Sequence, residues 1–169
     1  MNFSSAKKLL GLLIVPVILF SFTFLPDKAN FSGSWSLNEG KSELGQMSRF
    51  TVRTVKTEQK DDAINISKTL PGFNGGEDIT NKETLSFDGK ESESTLFGNG
   101  KRKSTLKWAD DGQSFTINAN ASFERNGQNF ELKSTETWSL LDGGKTLSIV
   151  TVSSSSRGEN TVKAVYDKQ

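Results

Sequence analysis

The chain has 169 residues, 33% hydrophobic and 24% charged, with 21 basic against 20 acidic side chains and neither cysteine nor histidine. Those absences exclude disulfide frameworks, thiolate nucleophiles, iron–sulfur clusters, histidine-based triads and the imidazole ligands of most zinc and copper sites, and no cofactor is expected. The near-neutral balance also lacks the basic footprint of a nucleic-acid binder, so no nucleic-acid partner is expected either.

Lys7 and Lys8 precede the run LLGLLIVPVILFSFTFL from Leu9 to Leu25, which ends at Pro26-Asp27-Lys28. A basic flank before an apolar segment of this length predicts a signal peptide or an N-terminal membrane anchor over residues 1–29. The positive flank stays cytoplasmic, so the rest of the chain is expected beyond the inner membrane: periplasmic, at the cell surface or secreted. Contact with a membrane would run through residues 9–25 only, if they are not removed.

Residues 1–29 hold 17 of the hydrophobic side chains, so residues 30–169 are more polar than the average implies. That remainder carries 18 basic and 19 acidic residues with no like-charged block to swell it, and it reads as one domain. Without disulfides it must be held by packing and strand pairing, which its size permits.

The first strand opens at Gly33-Ser34-Trp35, and Gly40 to Gly45 (GKSELG) is the one stretch predicted to form a helical turn. Apolar residues then recur at every second position through Ile64 and Ile66 and through Ile79, Leu85 and Phe87, separated by the Pro71–Gly76 loop, the expected mobile element. From there Asp88-Gly89, Asn99-Gly100, Asp111-Gly112, Asn126-Gly127 and Asp142-Gly143 follow at spacings of 11, 12, 15 and 16 residues. Asx-Gly supplies the positive φ angles of tight hairpins, so each pair separates two strands. Alternation continues through Leu106 and Trp108, is clearest from Phe115 to Phe123, and runs on through Phe130, Leu132, Trp138 and Leu140 to Leu147 and Ile149. This pattern predicts an all-β chain: a single antiparallel up-and-down barrel of about 8–10 strands, or else a two-sheet β-sandwich. Closure removes exposed edges and favours the barrel.

Gly33-Ser34-Trp35 at the first strand resembles the Gly-x-Trp signature of lipocalins, in which the Trp plugs the closed end of a barrel that binds small hydrophobic ligands. Phe31–Asn38 followed by Lys41-Ser42 is similar to the start of uncharacterised lipocalin-like (calycin-type) small β-barrel proteins exported by Bacteroidota-type bacteria. Phe87–Lys90, Trp138–Leu140, Asp142–Leu147 and Val165–Gln169 match further segments of those proteins. The resemblance implies a calycin-like shape and no settled activity. A Thr-Asp-Tyr-type second lipocalin motif is absent, and Arg157 corresponds to the late lipocalin arginine by position alone.

Several inward phases carry polar residues. Asn81 and Glu83 share the phase of Ile79 and Leu85; Ser134 and Glu136 that of Leu132 and Trp138; Thr151 and Ser153 that of Leu147 and Ile149; Arg102 that of Leu106 and Trp108. An unpaired buried charge costs several kcal/mol, so this placement suggests packed ends around a polar middle, with Arg102 paired to Glu83 or Glu136. The expected ligand-binding set is Asn81, Glu83, Arg102, Trp108, Glu136, Trp138, Thr151 and Tyr166, with no catalytic or metal residues. A bulge or a one-residue slip would instead turn the charges outward, and the tryptophans read as core packing before they read as ligand contacts. Glu83 and Glu136 carry no specific glycosidase signal. The expected role is non-enzymatic: a monomeric exported barrel that binds a small hydrophobic or amphipathic ligand such as a lipid. The alternative is an envelope structural or interaction protein with a filled barrel and no ligand.

Overall fold

The computed structural model describes residues 27–72, 75–96, 100–125, 127–156 and 158–169. The apolar run of the predicted leader, Arg157 and the centre of the Pro71–Gly76 loop lie outside them. Ten strands follow in chain order: β1 Gly33–Leu37, β2 Thr54–Gln59, β3 Ala63–Leu70, β4 Ile79–Ser86, β5 Ser92–Leu96, β6 Gly100–Trp108, β7 Ser114–Arg125, β8 Gln128–Leu141, β9 Thr146–Ser155 and β10 Gly158–Lys168. They form one antiparallel sheet in the order β4-β3-β2-β1-β10-β9-β8-β7-β6-β5. Every neighbour is consecutive in the chain except β1 and β10, which close the sheet through Trp35↔Lys168 and Leu37↔Tyr166. β4 and β5, the ends of this order, lie against each other with no ladder between them among the described residues. The fold is a nearly closed up-and-down barrel.

Among the described residues, Gly89, Gly112, Gly127 and Gly143 of the predicted Asx-Gly turns lie between consecutive strands with positive φ. Gly112 and Gly127 adopt φ of +67° and +72°, a region costly for residues with a Cβ, and so reverse the chain between β6 and β7 and between β7 and β8. The helical turn expected at Gly40–Gly45 is displaced. Glu39–Lys41 and Gly45–Phe50 form two short 3-10 segments instead. The reason is Glu43, whose backbone exchanges hydrogen bonds with Lys163 of β10 at 2.7 and 3.1 Å and splits the stretch in two.

Alternation assigns the faces as the pattern predicts. Phe115, Ile117, Ala119 and Ala121 of β7 point inward and are buried. Register then stacks rings at one end: Phe115 pairs with Trp108 on one side and Trp138 on the other. Phe115 and Trp138 stack at 5.3 Å, and Phe31 meets Phe115 at 4.6 Å. Trp35, fully buried, donates from Nε1 to Thr57 Oγ1 at 3.2 Å. Residues 27–29 also pack on this end, three residues before the domain start read from the sequence. Ala29 N donates to Gly112 O at 2.8 Å, and Lys28 Nζ lies 4.8 Å from the Phe87 ring centre. One end of the barrel is thus an apolar, aromatic floor.

Candidate functional site

One step along the strands from that floor, the inward positions change character. β3 continues Ile64, Ile66 with Lys68; β4 runs from Leu85 to Glu83 and Asn81; β6 from Leu106 to Ser104 and Arg102; β8 from Trp138 to Glu136 and Ser134. Because side chains alternate, each polar residue keeps the inward phase of an apolar residue two or four positions away.

These side chains meet. Lys68 Nζ donates to both Glu136 oxygens, at 2.8 and 2.6 Å. Arg102 Nη2 donates to Glu136 Oε1 at 3.0 Å, and Trp138 Nε1 to Oε2 at 3.0 Å. On its other side Arg102 Nε reaches Glu83 Oε2 at 3.2 Å, which Ser104 Oγ also contacts at 3.2 Å. Lys68 Nζ lies 3.8 Å from Glu83 Oε1 and completes a ring of two cations and two anions. Glu136 is only 6% exposed, so these ions are largely removed from water. Burial pushes the Glu136 carboxyl up, but the charges of Lys68 and then Arg102 outweigh it and hold the group down at about 2. Burial likewise opposes the charge on Arg102, and Glu136 and Glu83 overcome it, raising that group and keeping it protonated. Tyr166 is pushed well up, first by burial and then by the Glu136 charge. Its neutral hydroxyl donates to Val52 O at 3.2 Å.

Beyond this ring lies a cavity of about 260 Å³. Its wall is apolar where Leu70, Leu96, Ala121, Leu132, Ile149 and Val162 contribute, and polar at Asn81, Ser134, Thr151, Ser153 and Asn160. Phe50, at the end of the second 3-10 segment, stands at its edge and is half exposed. Among the described residues, the interior above the ring is thus open space between side chains.

Of the residues singled out in the sequence, the structure brings Asn81, Glu83, Arg102, Glu136, Thr151 and Tyr166 together around this cavity. Trp108 and Trp138 do not line it. Their pairing with Phe115 places both in the floor, where Trp138 supports the site by bonding Glu136 from below. Lys68 and Ser104 are additions. The alternation Ile64, Ile66, Lys68, Leu70 and the pair Ser104, Leu106 carried the signal for both.

No family model matches the chain, and no curated protein matches it. Among solved structures, zebrafish ileal bile acid-binding protein complexed with cholic acid is similar, with a TM-score of 0.51 and 19% identity, over 82% of this chain and 98% of that chain. At that identity the likeness bears on the fold alone, an antiparallel up-and-down barrel.

Proposed function

We propose that the chain is a small binding barrel that holds one small hydrophobic or amphipathic molecule in its interior. The observation that carries this reading is the cavity itself, apolar along one wall and floored by a buried ring of Lys68, Glu83, Arg102 and Glu136. A largely apolar, concave interior with a few convergent polar groups is the general form of a small-molecule site. The volume lies just below the usual range for such sites, about 300–1,000 Å³, so the ligand is compact or a single flexible chain. That the zebrafish protein of similar fold was solved with cholic acid supports a lipid-like molecule as the occupant. In this reading Leu70, Leu96, Leu132 and Val162 pack against the ligand body, while Asn81, Thr151 and the charged ring face its polar end. Lys7, Lys8 and the Leu9–Leu25 run support export, which would place the barrel outside the inner membrane. No catalytic role is assigned to the paired glutamates, whose oxygens are already bonded to Lys68, Arg102, Ser104 and Trp138.

Native mass spectrometry of the protein purified from its own cells tests this. One bound small molecule per chain is expected, and Ala121→Phe, which fills the cavity from β7, should expel it without unfolding the barrel. A chain that carries no small molecule and binds no apolar fluorescent probe would sink the reading in favour of an interaction protein.

A further inference from the structure

Resting on that binding reading, we propose that the interior selects an uncharged hydrogen-bonding head group, such as an alcohol, ester or amide, over a carboxylate or an ammonium group, and that Glu83 sets this preference. The argument is one of charge balance. The buried ring contains Lys68 and Arg102 against Glu83 and Glu136, and the two signs cancel. Both cations are already committed: Lys68 grips Glu136 through both oxygens, and Arg102 spans the two carboxylates through Nε and Nη2.

An incoming carboxylate must therefore either add a third anion to a poorly solvated ring or displace Glu83 from Arg102, which costs that buried carboxylate its hydrogen-bonded cation and leaves it only Lys68 at 3.8 Å. An ammonium group meets the mirror-image obstacle. Lys82 also borders the cavity, but it is exposed and its charge is shared with solvent. What the site offers without adding net charge is hydrogen-bond donors. Arg102 Nη1 bonds to no described residue, while the charge of its guanidinium is already balanced by Glu83 and Glu136, and the Ser134 and Thr151 hydroxyls stand in the wall beside Glu136. Such groups match a hydroxyl or carbonyl oxygen without disturbing the balance. Glu83 is the variable element, because it holds fewer and longer bonds than Glu136 and is the carboxylate an anionic ligand would have to replace.

Three probes with one ten-carbon chain and different heads separate the possibilities: decan-1-ol, decanoate and decylammonium, titrated calorimetrically into the full chain near neutral pH below micelle-forming concentrations. Decanol is expected to bind about tenfold or more tightly than either ion. Glu83→Gln leaves the ring one positive charge in excess, and decanoate should gain about tenfold relative to decanol. Lys68→Met leaves one negative charge in excess and should move the ratio the opposite way, towards decylammonium. Should Glu83→Gln fail to fold, Lys68→Met and the wild-type ranking decide the matter alone. Decanoate binding the wild type as tightly as decanol, or ratios unmoved in a folded variant, would overturn the head-group proposal while leaving the binding reading intact. Binding of none of the three would overturn the binding reading itself, and this proposal with it.

Discussion

Glu136 accepts hydrogen bonds from Lys68, Arg102 and Trp138, so the two halves of the charged ring and the aromatic floor all hang on one carboxylate. Removing its charge leaves the ring with an uncompensated buried cation. Glu136→Gln should cost about 3 kcal/mol or more of stability, the scale for breaking a buried ion pair from one side. Replacing Lys68 and Glu136 together by methionine should cost less than the single changes summed, because no orphaned charge remains. The pH dependence has a defined sign. The folded-state carboxyl sits below its unfolded value, so its contribution is fully present above the ordinary carboxylate range and is lost as the pH falls towards about 2. Urea midpoints should therefore drop between neutral pH and pH 2 in the wild type and drop less in Glu136→Gln; equal slopes would remove Glu136 from the account. At this scale much was legible. Alternation alone turned Glu83, Arg102 and Glu136 inward, and the same rule reaches Lys68. The pairing of Arg102 with Glu83 or Glu136 was legible as well, whereas Lys68 as the partner of Glu136 was not, since the two are 68 residues apart and meet only across the closed barrel.

Alternation names the face of a strand but not its neighbour, and the gap between β4 and β5 shows the difference. The two strands are consecutive and joined by a predicted turn, yet they do not pair. The inward positions of β5 are Ser92, Ser94 and Leu96, and only Leu96, at the end of the strand, is a large apolar side chain that can pack inward. Lys82 on β4 and Glu93 on β5 place charges along the unpaired edges, a common defence against pairing with other chains. The helical turn predicted at Gly40–Gly45 was split into two 3-10 segments for a related reason: a long-range bridge from Glu43 to Lys163 overrode local preference. Backbone amides facing the gap have no ladder partner, whereas those of β7 and β8 are paired over nearly their whole length. Hydrogen exchange read by NMR should therefore show the gap-facing amides of β4 and β5 exchanging at least about a hundredfold faster than those at the centre of β7 and β8. Equal protection across the sheet would mean that the gap is closed in solution.

The barrel closes only when the two ends of the domain find each other, and this makes the last strand decisive for the whole molecule. β10 lies between β9 and β1, so without Val165–Gln169 the sheet loses its one pairing between non-consecutive strands. Several contacts would go at once. Val165 and Tyr166 are buried, each contributing about 2 kcal/mol of apolar burial. Asp167 accepts from Asn38 Nδ2 at 2.6 Å and Lys41 Nζ at 3.0 Å, and Gln169 N donates to Ser34 O at 2.9 Å. Trp35, completely buried, would be uncovered on the side where it faces Lys168, and losing such a ring from a core costs about 3–5 kcal/mol. These losses approach the whole margin of about 5–15 kcal/mol by which a domain is folded. Deleting residues 165–169 should therefore abolish the cooperative thermal transition seen by circular dichroism and the fixed tryptophan environment seen by fluorescence. Deleting Gln169 alone removes one backbone hydrogen bond of this set and should cost only about 1 kcal/mol. A five-residue deletion that still melts cooperatively within a few degrees of the intact chain would show that consecutive hairpins, without the β1–β10 closure, are enough to hold the barrel.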